Sequence, residues 1–114
     1  MSYDDELAER IRDVSLAIAS GEDLLREQRM FGGLAFLVAG KMAVAASGRG
    51  GLMVRVDPED VGALQAADGV EPMMMRGREL RGWLHVSSDA VRDDAALAEW
   101  VTRGVSYARS LPAT

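Results

Sequence analysis

Leu7, Ile11, Val14 and Ile18 recur at spacings of four, three and four, so a helix of 3.6 residues per turn places them on one face. Ser2 with Asp5 three residues on resembles a capping box, and Gly21 is placed to end this helix. From Leu24 the period changes. Apolar runs at residues 34–39, 42–47 and 52–56 are separated by Gly40-Lys41 and by Gly48-Arg49-Gly50-Gly51, the pattern of strands joined by tight turns. Connections this short force neighbours to be antiparallel, because a parallel crossover takes a dozen or more residues. A three-stranded meander is predicted, with the poorly alternating segment 24–30 as a possible leading extension.

Asp57-Pro58-Glu59-Asp60 reads as a helix start: a capping carboxylate, a proline in the first turn and acids at the positive end of the dipole. This second helix is expected to end near Ala67, before Asp68-Gly69. Two more strands follow, over residues 72–76 and 82–87. Leu97, Trp100, Val101, Val105, Ala108 and Leu111 then mark a last helix that begins near Asp93-Asp94 and stops before Pro112. The order α-β-β-β-α-β-β-α gives helices segregated from a mainly antiparallel sheet, each with one stripe to bury. A two-layer α+β sandwich follows.

The chain has 114 residues, and no internal repeat or Pro/Ser/Gly-rich linker divides it, so one domain over residues 1–114 is expected. The apolar content of 48% and charged content of 27% exclude a disordered or low-complexity class. With no cysteine, disulfides, thiolate zinc sites and cysteine nucleophiles are excluded. The longest apolar run covers residues 34–39, far below the ~20 residues that span a bilayer. The acidic start lacks the basic and apolar parts of a secretory signal, so cytoplasmic residence is expected.

Charge is distributed unevenly along the chain. Residues 1–23 are acidic, whereas residues 24–55 carry Arg26, Arg29, Lys41, Arg49 and Arg55 against Glu27 alone, and Arg76, Arg78 and Arg81 surround Glu79. A basic sheet between acidic helices is the implied picture. The net charge of −5 argues against direct binding to nucleic acid, whose affinity comes chiefly from phosphate neutralisation.

Gln28-Arg29-Met30-Phe31-Gly32-Gly33 followed by an apolar strand resembles the TfoX (Sxy) N-terminal domain family. The likeness continues through Gly40-Lys41-Met42-Ala43, Leu52-Met53-Val54-Arg55-Val56-Asp57, Arg81-Gly82-Trp83, Trp100-Val101 and Tyr107-Ala108-Arg109-Ser110-Leu111-Pro112. The resemblance implies a small stand-alone member with an α-β(3)-α-β(2)-α fold similar to secretion chaperones, and often a homodimer. Longer members are bacterial competence regulators that add a C-terminal helical domain. It transfers no catalytic residue.

Candidate chemistry is sparse. The turn at residues 48–51 lacks the third glycine and the following helix of a dinucleotide loop, and reads as a hairpin turn. His85 is the only imidazole. Ser87, Ser88 and Asp89 follow it without making a triad, which has to be assembled in space; a lone histidine is also a poor zinc site. Met73-Met74-Met75 alternate in direction along a strand and lack further soft ligands, so they read as adaptable apolar surface or core filling rather than a copper site. No catalytic residue, cofactor or metal is assigned.

The remaining set is Arg29, Phe31, Gly32, Gly33, Arg55, Arg76, Arg78, Arg81 and Trp83. Guanidinium groups bind carboxylate or phosphate through paired N–H donors, and Phe31 and Trp83 supply apolar anchors. The leading expectation is a non-enzymatic module that docks another protein, linked to transcriptional regulation. The alternative is a small enzyme binding an anion or nucleotide through His85 and an arginine-lined pocket.

Overall fold

The computed structural model describes residues 3–30 and 32–112. Helix α1 spans Asp5–Ile18. Its cap is Asp4, whose carboxylate accepts from the backbone N–H of Glu6 at 3.0 Å and Leu7 at 3.2 Å. The predicted Ser2 cap lies outside the described residues, and the helix ends before Gly21. A 3₁₀ turn at Gly21–Asp23 leads into six strands, β1 (Leu25–Met30), β2 (Gly33–Val38), β3 (Lys41–Ala46), β4 (Leu52–Arg55), β5 (Val70–Met75) and β6 (Arg78–Val86). A 3₁₀ turn at Pro58–Asp60 and the short helix α2 (Val61–Leu64) separate β4 from β5, and α3 (Asp94–Ser110) follows β6.

The strands form one antiparallel sheet in the order β1-β2-β3-β4-β6-β5. The two-layer α+β architecture stands, with one strand more than three in its first half. Of the segment 24–30, residues 25–30 are a full strand and Leu24 is the left-handed residue that ends the preceding turn: as a sheet edge that is mostly exposed, β1 has no need of the alternation that marks half-buried strands. The second helix is shorter than its capping signal suggested. A 3₁₀ turn takes up residues 58–60, and none of Val61–Leu64 is fully buried.

Helices α1 and α3 cover one face of the sheet. Their stripes, Leu7 and Ile11 on α1 and Leu97, Val101 and Val105 on α3, meet Leu34, Phe36 and Val38 of β2, Val44 of β3, Leu52 and Val54 of β4 and Leu84 and Val86 of β6. Each such side chain removed from water contributes roughly 1.5–3 kcal/mol, so this layer is the main source of stability. Two close backbone approaches set the spacing. A Cβ at Gly104 of α3 would stand 2.6 Å from the Ala43 carbonyl oxygen, and one at Gly33 would stand 2.2 Å from that of Ala46. Gly48 crosses Gly32 similarly tightly: a Cβ at Gly48 would stand 2.6 Å from the Gly32 carbonyl oxygen.

Asp23 ties three segments together. Its buried carboxylate accepts from the Ser20 N–H at 2.8 Å and from both Nε (2.9 Å) and Nη2 (2.7 Å) of Arg109 at the end of α3. Its own carbonyl accepts from Ala39 N–H at 2.6 Å, in the β2–β3 turn.

Candidate interaction surface

The sheet face turned away from the helices carries a second apolar cluster. One row of cross-strand neighbours runs Gln28, Ala35, Ala45, Met53, His85, Glu71 across all six strands. Ala35, Ala45 and Met53 in its centre are buried although no helix covers them, because Met30, Leu37, Met42, Met73 and Trp83 lean over them. The alanines give a low floor, and long flexible methionines supply walls that can repack around a bound surface. Arg55 lies 6.0 Å from the Trp83 ring centroid, and its Nη1 donates to the Met42 carbonyl at 3.4 Å. A cation is thereby held over the aromatic ring at the rim of the floor.

The β5–β6 hairpin shapes one side of this face. The register shifts between Pro72 and Met74, and the two-residue turn Arg76-Gly77 takes left-handed backbone angles (φ 54° and 79°). Met73, Met74, Met75 and Arg76 consequently share a cleft of about 330 Å³ with Gly32, Ser47, Gly48, Arg49 and Met53. Of the arginines singled out in the sequence, Arg76 alone reaches the Gly32 turn, accompanied by Arg49. Arg76 and Arg78 also flank the hairpin tip with Met75, Glu79 and Leu80.

The full arginine set does not converge. Arg29 pairs with Leu34 and therefore sits on the helix side of β1, opposite to Arg55 and Trp83, while Arg81 is exposed on β6. Gly33 serves the close strand approach described above, and Phe31 lies outside the described residues. Sequence reasoning missed Arg49 and Met53. Their signal was the apolar run of β4 read together with the turn before it, and only the strand order shows that β5 folds against them.

His85 is held structurally. Its Nε2 lies 2.8 Å from the Gly50 carbonyl, and a Cβ on Gly51 would come within 2.8 Å of the same nitrogen, so the ring is packed against the 48–51 turn. Glu71, Arg49 and Ser47 share its cleft, but the Ser47 hydroxyl accepts from Arg49 N–H within that turn. No described hydrogen bond joins His85 to Ser47 or Glu71, which leaves the hydroxyl without a base to activate it. Replacement His85→Ala is expected to loosen the turn. Amide exchange at Ser47 and Gly50, whose N–H groups bond across it, should accelerate, with little change at Val44 in the core.

Charge follows the layers. Arg10, Arg12, Arg92, Arg103 and Arg109, all outside the strands, each pair with an acid. Among the described residues, Arg26, Arg29, Arg49, Arg55, Arg76, Arg78 and Arg81 on the strands and their turns form no ion pair. The strand layer therefore presents unneutralised cations, and the acids gather on the helices and their connections. No group of three or more metal-ligating side chains occurs among the described residues, and no described helix is long and apolar enough to cross a membrane.

A family model, the TfoX N-terminal domain, matches residues 18–108, most of the chain. The chain belongs to the TfoX N-terminal domain family. This membership makes it a competence-regulator-like domain in a family not known for enzymes. The match begins at the end of α1 and runs to the last turn of α3, so the TfoX N-terminal domain comprises the whole sheet and both of its faces. No curated protein and no solved structure matches the chain.

Proposed function

We propose that this TfoX N-terminal domain is a non-enzymatic docking module of a regulatory system, and that its open sheet face receives an acidic, partly apolar segment of another protein. The observation that carries the reading is the apolar cluster around Met53 and Trp83, on a face that no described helix covers, beside arginines that lack acidic partners among the described residues. An apolar floor with an arginine rim is the composition of interface centres, where aromatic, methionine and arginine side chains are enriched. Arg55, Arg76, Arg78 and Arg81 supply fork-shaped donors for carboxylates, and Trp83 and the methionines supply the contact area.

Affinity capture from a native lysate, with mass determination of what co-purifies, tests this reading. The wild-type chain is compared with Arg55→Glu, with Trp83→Ala and with the triple variant Arg76→Ala/Arg78→Ala/Arg81→Ala. The expected result is one acidic protein held by the wild type and reduced at least tenfold by Arg55→Glu or the triple variant, with melting temperatures changed little because these side chains are exposed or half-exposed. Capture unaffected by all three variants overturns the assignment of the open face. A co-purified nucleotide or metabolite that the chain turns over would revive the enzyme alternative through His85.

A further inference from the structure

The helix layer leaves a gap where the sheet ends at β1. Helix α1 packs chiefly against α3 and β3, and the hydrogen bonds described between α1 and β1 all come from Arg12, whose Nε and Nη2 donate to Glu27 Oε2 at 2.5 Å and Oε1 at 2.7 Å. Beneath this bridge lies a cleft of about 260 Å³. Ser15 and Phe36, 2% and 4% exposed, form its inner wall, and Leu16, 64% exposed, forms its rim with Leu25 and the Arg12–Glu27 pair.

Ser15 is out of place on grounds of stability. Leu7, Ile11 and Ser15 follow one another at spacings of four along the buried stripe of α1, and Ser15 is the polar member. Its hydroxyl is buried without a hydrogen-bond partner among the described residues, although a serine inside a helix can bond the carbonyl one turn back. A buried hydroxyl left unmet costs free energy that an alanine at the same place would not. The walls around it are also held apart. The Arg12–Glu27 fork spans the rim, and Asp23 fixes the connection from α1 to β1 through the Ser20 N–H and Arg109. The fold therefore maintains a preformed apolar slot with one unanswered polar atom on its inner wall.

We propose that this slot is a binding site for a flat, neutral, mainly apolar small molecule carrying one N–H or O–H group, which the Ser15 hydroxyl receives. Size, shape and charge each narrow the class. The slot exceeds the ~150 Å³ of an apolar cavity that holds benzene, and on that scale it takes about ten non-hydrogen atoms, a fused pair of rings. Phe36 on the inner wall offers its ring to another aromatic, and Leu16 and Leu25 offer aliphatic contact. Arg12 and Glu27 already satisfy each other, and a single hydroxyl cannot compensate a buried ion, so a charged ligand is disfavoured. The site does not rest on docking at the open face, since Glu27 pairs with Phe36 of the main core and so lies on the helix side of the sheet.

Indole is the probe, and indene, which has the same ring shape without the N–H, is the control. Titration of the full chain with each up to about 1 mM, followed by amide NMR, tests the site. The wild type is expected to bind indole saturably, with shifts centred on Ser15, Leu16, Leu25 and Phe36, and about tenfold more tightly than indene. Ser15→Ala should raise Tm by several degrees without ligand and should bring indole down to the affinity of indene. A residue whose removal stabilises the fold and abolishes the preference is kept for the ligand. Leu16→Trp, at an exposed rim position, should leave Tm unchanged and block both probes by laying its ring over the slot, and it decides the matter if Ser15→Ala fails to fold. The proposal is overturned by a wild type that does not bind indole, by shifts centred instead on Met53 and Trp83, by indole affinity that survives Ser15→Ala or folded Leu16→Trp, or by a Tm that does not rise in Ser15→Ala.

Discussion

Replacement Gly33→Ala is expected to destabilise the protein by about 3 kcal/mol, lowering Tm by roughly 10 °C. The added methyl would sit 2.2 Å from the Ala46 carbonyl oxygen and 3.2 Å from the Gly48 nitrogen, so its obstacles are backbone atoms that no rotamer change can move. Relief requires β2 to separate from β3 at the point where Leu34 pairs with Ala46, two residues whose burial belongs to the main core. Gly62→Ala on α2 supplies the contrast. Nothing lies within 4 Å of a Cβ there, and a helical alanine loses less backbone entropy than glycine, so Tm should hold or rise slightly. Thermal melts followed by circular dichroism separate the two; equal melting temperatures would show that the strands do not approach this closely.

Asp23→Asn is expected to lower Tm by several degrees at pH 7 and to flatten the loss of stability in acid. The Arg109 fork, reinforced by the Ser20 N–H, holds the Asp23 carboxyl at about 2, below its ordinary 3.8. A carboxyl depressed in the folded state stabilises the fold above its unfolded pKa, and that contribution disappears as pH falls from about 4 towards 2. Glu27, depressed by Arg12, acts in the same direction, so the variant reduces the acid limb without abolishing it. Denaturant unfolding at pH 7, 4 and 2.5 measures the difference. If wild type and variant lose stability in parallel through this window, the Asp23–Arg109 pair is not the source.

The two long helices were legible in the sequence because each buries one stripe: Leu7 and Ile11, then Leu97, Val101 and Val105, repeat at the helical period, and Asp4 and Asp93 cap them. Strands β2 to β4 were legible from short apolar runs and glycine turns. β1 was harder to read, because an exposed edge needs no buried side and its charged residues do not alternate. The site was only half legible. Residue type identified arginines and Trp83, but which of them meet depends on strand order and on the bend at Pro72–Met74, neither of which is local. Hence Arg76 reaches the Gly32 turn together with Arg49, while Arg29 is turned to the helix side.

The excess of acids on the helices and their connections, set against strand-layer arginines that form no ion pair among the described residues, gives the molecule a permanent electric dipole between its two layers. A diffusing anionic partner then experiences a torque as well as a pull, so that the sheet swings toward it before contact and the acidic helices swing away. An overall negative protein can in this way meet a negative partner in one orientation and repel it in the other.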